Sequence, residues 1–131
     1  MFKHYIITLF TLALCDAIWL TTIAKSFYKK YLGYLFAENI TYWPILLFYP
    51  LYAIGVLFFV VQPALEHKSV PEALLRGALL GMVAYGAYDL TNQATVAKWP
   101  VIVTVVDLLW GMVVTSLVGG ITVFIVKKFF V

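Results

Sequence analysis

Three aspartates, Asp16, Asp89 and Asp107, interrupt long apolar stretches of the sequence. If these stretches cross a membrane, such carboxyl groups could hold a proton, bind a cation or accept hydrogen bonds. Each lies about nine residues from a residue that would mark one membrane face, namely Lys25, Lys98 and Trp99. At a rise of about 1.5 Å per residue, this spacing predicts that all three acids lie roughly 12–14 Å below that face.

Aromatic and amide side chains recur at the same level or within one helical turn of an acid. They are Tyr52, nine residues beyond Trp43, then Tyr85 and Asn92 on either side of Asp89, and Trp19 and Trp110, each three residues after an acid. Residues three apart share one face of a helix. Together with the three acids, these five side chains form the predicted substrate- or cation-binding site.

No lysine or arginine lies at the predicted level of the acids. An ionised acid at the centre of a bilayer costs at least about 2.5 kcal/mol. Protonated acids, a bound cation, or ionised acids in a wet vestibule with hydroxyl, amide and indole donors would each offset that cost.

Two interpretations of this cluster follow. An anionic site with aromatic walls would favour a proton, a metal ion or an organic cation, the last through cation–π contacts. Alternatively, the acids form interhelical hydrogen bonds that only lock the helices together. His4 and His67 lie far from the acids, so no metal site of their own is predicted, and neither a cofactor nor a catalytic residue is identified.

The composition indicates that the chain lies in a membrane. Of its 131 residues, 64% are hydrophobic and 11% are charged, whereas a soluble domain has about 25% charged residues. The single cysteine, Cys15, excludes an internal disulfide, and the net charge of +3 is spread over the segment ends, which does not indicate nucleic-acid binding. The prediction is one all-α domain over 1–131, a polytopic four-transmembrane-helix bundle embedded in the lipid bilayer.

Apolar length and helix-end signals predict the four spans at about 5–24, 44–65, 72–95 and 100–126. The N-terminal stretch is interpreted as a retained span, because its apolar run is too long for a signal peptide. The segment 26–39 is predicted to be an amphipathic helix at the membrane interface. Pro50 should kink the second helix, and Ser69 should cap the third. Small residues in the third and fourth helices, Gly77, Gly81, Gly111, Thr115 and Gly119, predict close helix contacts.

Two parts of the sequence resemble each other. An acid precedes a lysine by nine residues in Asp16…Lys25 and again in Asp89…Lys98, and a Trp-Pro pair opens the second and the fourth helix. This pattern predicts two repeated helical hairpins. Five basic residues against four favour the side that carries both termini, which predicts cytoplasmic N- and C-termini.

Six short segments carry a more specific pattern: Phe48-Tyr49-Pro50-Leu51-Tyr52, Pro63-Ala64-Leu65, Tyr88-Asp89-Leu90-Thr91-Asn92, Ala94-Thr95, Trp99-Pro100 and Asp107-Leu108-Leu109-Trp110-Gly111. The pattern resembles that of an uncharacterised bacterial family of four-span inner-membrane proteins, a domain of unknown function. The resemblance covers essentially the whole chain. It implies a bacterial inner-membrane location and no established activity, so it assigns no catalytic residue.

Three functions remain open at this point. The first is proton- or cation-coupled transport of a small molecule by a homo-oligomer, with the acids as the binding groups. The second is an enzyme or accessory subunit of membrane-lipid modification, although the sequence contains no nucleophile elbow, P-loop or zinc-protease motif. The third is a structural or assembly subunit of a membrane complex.

Overall fold

The computed structural model describes residues 1–130, which form four long helices. They are α1 (Phe2–Leu35), α2 (Trp43–Glu66), α3 (Val70–Thr95) and α4 (Val101–Phe129). No strand occurs in the described part of the chain. The all-α prediction is therefore confirmed, and the predicted helix bounds agree with the observed ones except at the end of α1.

The first helix continues where a separate interfacial helix was predicted. It is α-helical over Phe2–Trp19, forms a π-helical segment at Leu20–Ala24, resumes as α-helix over Lys25–Leu32 and closes with a 3₁₀ turn at Gly33–Leu35. Of the four residues on the predicted apolar face, Phe27 and Tyr31 are half-buried, whereas Tyr34 and Leu35 are exposed, as are Lys29 and Lys30. However, the apolar side of this segment packs on protein, against Trp99 and Val103.

The second helix passes through Pro50 without ending. Proline cannot donate a backbone hydrogen bond, yet the helix continues and widens into a π-helical segment at Leu57–Val61. The Tyr5 hydroxyl of α1 donates a hydrogen bond of 3.1 Å to the Pro50 carbonyl. This bond ties α2 to α1 at the position of the proline, and the predicted kink itself stays a prediction.

The start of α3 is capped as the sequence predicts. The Ser69 hydroxyl accepts a hydrogen bond of 3.1 Å from the Glu72 backbone N–H. The Glu72 carboxylate instead accepts hydrogen bonds from Arg76 at 2.8 Å and shares one with His67 at 2.7 Å.

Glycines allow α3 and α4 to pack closely as an antiparallel hairpin. A Cβ atom at Gly77 would lie 2.5 Å from the Thr115 carbonyl oxygen, and one at Gly81 would collide with the Gly111 carbonyl. A Cβ atom at Gly111 would in turn collide with the Tyr85 ring. The predicted small-residue contacts therefore lie inside the chain, between its two longest uninterrupted α-helices.

The tip of this hairpin is held by a polar cluster. The Thr104 hydroxyl donates to the Gln93 side-chain oxygen at 2.8 Å and accepts from the Trp99 indole N–H at 3.1 Å. The Gln93 amide also donates to the Trp99 carbonyl at 2.8 Å. These bonds fix the ends of α3 and α4, and with them the side chains of the next helical turns.

Three of the four helices, α1, α2 and α4, are long and apolar enough to cross a membrane. The third helix carries several charged and amide side chains and lacks that apolar character. The two Trp-Pro pairs of the predicted repeat have different environments, since Trp43 is 67% exposed and Trp99 is 7% exposed. The fourth span and the repeated hairpins therefore stay predictions.

Candidate functional site

A cavity of about 360 Å³ lies between the four helices near the hairpin tip. All four helices contribute to its wall, which contains Tyr28, Phe48, Tyr52, Ala84, Tyr85, Tyr88, Asp89 and Asp107. Four of the eight residues predicted from sequence are among them: Asp89, Asp107, Tyr52 and Tyr85. Both acids belong to the α3–α4 hairpin. Each lies six residues from the end of its helix, so both lie roughly 9 Å from the hairpin tip.

The two carboxyl groups are neighbours with different partners. Asp107 is 8% exposed and accepts a hydrogen bond from the Tyr28 hydroxyl of α1. Asp89 is 1% exposed, and its Oδ1 atom has no hydrogen-bond partner. A buried polar atom without a partner loses its interaction with water and gains nothing in return. Asp89 therefore lines the cavity with a carboxyl group whose hydrogen-bonding capacity is not fully used.

Aromatic rings form the rest of the wall. Tyr52 of α2 and Tyr85 of α3 meet edge to face with ring centroids 6.4 Å apart and close the floor. The Tyr52 hydroxyl forms a hydrogen bond of 2.8 Å with Thr115, which fixes the ring. One turn nearer the hairpin tip, Phe48 of α2 and Tyr88 of α3 also line the cavity.

The wall of the cavity contains no basic side chain. Within residues 1–130, the ion pairs join Glu72 to its two neighbours and involve none of the three aspartates. If both cavity acids ionise, two negative charges face each other without a cation, which is unfavourable in a poorly hydrated site. The arrangement can therefore hold a proton or a single positive group between Asp89 and Asp107, with ring faces around it.

The third acid lies outside this cavity. Asp16 accepts a hydrogen bond from the Tyr49 hydroxyl of α2. Trp19 of α1 stacks on Trp110 of α4, so these two residues lie at the same level. Because the two helices are antiparallel, Asp107 lies three residues from that level towards the hairpin tip, and Asp16 lies three residues from it in the opposite direction. The Asp16 carboxylate is therefore displaced from Asp107 by about six residues, roughly 9 Å along the helices.

The prediction of one common depth does not hold for Asp16. It required Lys25 and Lys98 to mark the same level. Instead α1 continues beyond Lys25, and the hydroxyl of Tyr34 donates to the Lys98 carbonyl at 2.6 Å. The continuous first helix thus places Asp16 further from the hairpin tip than the lysine pattern implies.

The remaining predicted members also lie apart from the cavity. Trp19 and Trp110 stack with ring centroids 4.5 Å apart and planes inclined by 10°. They line a separate groove of about 220 Å³ between α1 and α4. Asn92 lies one turn nearer the hairpin tip than Asp89, is half-buried and does not line the cavity.

Sequence reasoning missed Tyr28, Phe48, Ala84 and Tyr88. Phe48 precedes Tyr52 by four residues, and Tyr88 precedes Asp89 directly, so a search for aromatic residues one turn from each acid or its partner would have found them. Tyr28 lies in the segment expected at the membrane interface, so it was not considered as part of a site between the spans. Its contact with Asp107 follows from the continuation of α1.

Among the described residues, no group of three histidine, cysteine or acidic side chains is arranged to hold a metal ion. The cavity instead combines two carboxyl groups with aromatic rings, a composition suited to a proton or an organic cation.

Comparison with known proteins gives one match. A family model described as a predicted membrane protein, DUF2177, matches residues 1–124. No curated protein and no solved structure matches the chain.

Proposed function

The chain belongs to DUF2177, a family of predicted membrane proteins of unknown function, and from this premise we propose that it transports a small organic cation in exchange for protons. In this proposal, Asp89 and Asp107 hold either a proton or the positive group of the substrate. The aromatic wall, above all Tyr52 and Tyr85, surrounds the bound cation.

One observation carries the proposal: Asp89, whose buried Oδ1 atom has no hydrogen-bond partner, lines a cavity with aromatic walls beside a second acid. A carboxyl group that only stabilised contacts between helices would use its oxygens to accept hydrogen bonds from neighbouring helices. The Asp16–Tyr49 pair has that structural character. Asp89 instead leaves one oxygen unpartnered beside a second acid.

Exchange follows from the charge of the pair. The two carboxyl groups share one small volume, so taking up a cation favours release of a proton, and taking up a proton favours release of the cation. Beyond the cavity floor the core is apolar and closed, with Val56, Val60, Val114 and Val118 fully buried. Transport therefore requires a second conformation in which that side of the bundle opens.

The proposal also includes the arrangement in the membrane. Because α3 packs along α4, which is long enough to span, we place α3 across the bilayer as a fourth span in the bacterial inner membrane. Both termini then lie on one side, which the basic residues favour as the cytoplasmic one. Four spans enclose little volume, so a homo-oligomer with closed symmetry completes the permeation path.

Reconstituted liposomes test the proposed exchange. Labelled tetraethylammonium is supplied outside liposomes whose lumen is more acidic than the medium, and uptake is followed over time. Wild-type protein should accelerate uptake, and reversing the pH gradient should suppress it. The Asp89→Asn variant should reduce the rate by about tenfold or more, because removing one member of a buried charged contact typically costs at least about 2 kcal/mol.

The matched control is Glu38→Gln, which removes one negative charge from an exposed residue between α1 and α2. It should transport at the wild-type rate. The proposal would be refuted if the wild-type protein takes up the cation at the same rate in both directions of the pH gradient. It would also be refuted if a folded Asp89→Asn protein takes up the cation at the wild-type rate.

A further inference from the structure

The cavity opens sideways, between α2 and α3. The Leu57–Val61 and Gln62–Glu66 segments of α2 pack against α3, whereas its Trp43–Val56 segment packs mainly on α1 and α4. The two helices therefore meet at one end and diverge towards the hairpin tip. The cavity occupies the space between them.

The rim of this opening is apolar and accessible. Phe48 of α2 is 44% exposed and Tyr88 of α3 is 61% exposed. Both lie on spans or proposed spans, so the surface that they expose faces lipid. Ala84 lines the wall with a small side chain and leaves the passage between rim and floor unobstructed.

The interior differs from the rim in charge. The acids lie behind the aromatic rings, at the end of the opening, and Tyr28 covers Asp107 from the side of α1. A ligand suited to both regions carries a positive group for the interior and an apolar part for the rim. At about 360 Å³, the cavity lies at the small end of the range for ligand pockets, about 300–1,000 Å³, and so fits a head group better than a whole lipid.

We propose that the substrate is an amphiphile with an ammonium head group, which reaches the cavity from the bilayer, between α2 and α3. Its ammonium group contacts Asp89 and the aromatic rings, and its alkyl chain stays between Phe48 and Tyr88 in the lipid. This inference rests on the cation-binding function proposed above and names the class of its substrate. The shared chemistry is an ammonium head on an alkyl chain, whether a free alkylamine or a membrane lipid supplies it.

Binding to the full-length protein in lipid nanodiscs tests the inference. The probe is labelled dodecyltrimethylammonium below its micellar concentration, and empty nanodiscs correct for partition into lipid. We expect saturable binding that choline displaces at least about tenfold more weakly than unlabelled probe, because choline lacks the chain whose burial contributes to affinity. Dodecanol, which lacks the charge, should also displace it poorly.

Two pairs of variants locate the binding. Asp89→Asn should weaken binding by about tenfold or more, with Glu38→Gln as the control of equal charge change. Ala84→Trp should block the passage and abolish binding, while Ala87→Trp, on the exposed side of the same helix, should not. If Ala84→Trp fails to fold, the comparison of displacement by choline with displacement by the unlabelled probe still decides whether the ligand is an amphiphile.

A second arm identifies the source of the cation. The measurement is repeated in nanodiscs of phosphatidylglycerol with and without phosphatidylethanolamine. Displacement of the probe by the aminolipid assigns the site to a lipid head group, and no displacement assigns it to a free alkylammonium compound. Both results agree with an amphiphile that carries an ammonium head group.

Failure of this inference is distinguishable from failure of the transport proposal. Choline binding as tightly as the probe, with loss of both in Asp89→Asn, would overturn the amphiphile and leave cation transport standing. Probe binding that is unchanged in Asp89→Asn and Ala84→Trp would overturn the lateral site, and the liposome uptake assay then decides on transport by itself.

Discussion

At the scale of single residues, the aspartates of this chain divide into two kinds. Asp89 and Asp107 share a cavity, and one oxygen of Asp89 has no partner. Asp16 is bound by Tyr49 and lies outside that cavity. Sequence spacing identifies all three as unusual, because each interrupts an apolar stretch. It cannot separate them, since the hydrogen-bond partners of Asp16 and Asp107 come from other helices.

The two kinds of aspartate should respond differently to mutation. Asp16→Ala and Tyr49→Phe should each lower the free energy of unfolding by about 1–3 kcal/mol, the usual range for a hydrogen bond to a carboxylate. Thermal unfolding in detergent measures this loss. The double variant should lose clearly less than the sum of the two single losses, because both substitutions remove the same bond.

Cation uptake by Asp16→Asn in liposomes then separates the three-acid site expected from sequence from the two-acid site of the structure. We expect uptake to persist at nearly the wild-type rate. If Asp16→Asn loses as much uptake as Asp89→Asn does, Asp16 belongs to the binding site.

At the scale of helices, most bounds could be predicted because apolar length, proline positions and the Ser69 cap are local signals. The continuation of α1 could not be predicted in this way. Lys25, Lys29 and Lys30 indicate the end of a span, and the π-helical segment at Leu20–Ala24 has no comparable sequence signal. The contacts of Leu32 with the hairpin tip, which hold the continuation in place, are tertiary.

The close approach of α3 and α4 makes a prediction at this scale. Gly81→Ala should destabilise the protein by about 1–3 kcal/mol, because the new methyl group meets the Gly111 carbonyl and overpacks the contact. Gly55→Ala is the matched control, since a Cβ atom there meets nothing within 4 Å. That variant should melt at or slightly above the wild-type temperature, because alanine favours helix over glycine by about 0.5–1 kcal/mol.

Equal melting temperatures for the two glycine variants would mean that the α3–α4 contact is looser than described. The rigid position of Tyr85, whose ring lies against Gly111, would then also be in doubt.

At the scale of the whole molecule, an all-α membrane protein could be predicted from composition alone. The depth of each group could not, because depth was inferred from lysines, and long lysine side chains can reach the interface from several levels. The position of α3 illustrates the same point. Its polar residues reduce its apolar character, yet its glycines place it against the full-length neighbour α4.

Cysteine labelling tests whether α3 crosses the bilayer. In a Cys15→Ala background, a cysteine replaces either Lys68, before α3, or Ala97, after it. A membrane-impermeant maleimide should label the two variants from opposite sides of sealed vesicles, because α3 is the single span between the two connections. Labelling of both from the same side would show that α3 does not span.

The length of α1 has a consequence for the surrounding lipid. Its 34 residues extend roughly 51 Å, about 20 Å more than the hydrocarbon core of a typical bilayer. The excess carries Lys25, Lys29 and Lys30, so it extends beyond the hydrocarbon core into the head-group region. The Tyr28–Asp107 hydrogen bond joins this extension to the cavity. We therefore expect a change of acyl-chain length to alter the position of Tyr28, and with it the contact that covers Asp107.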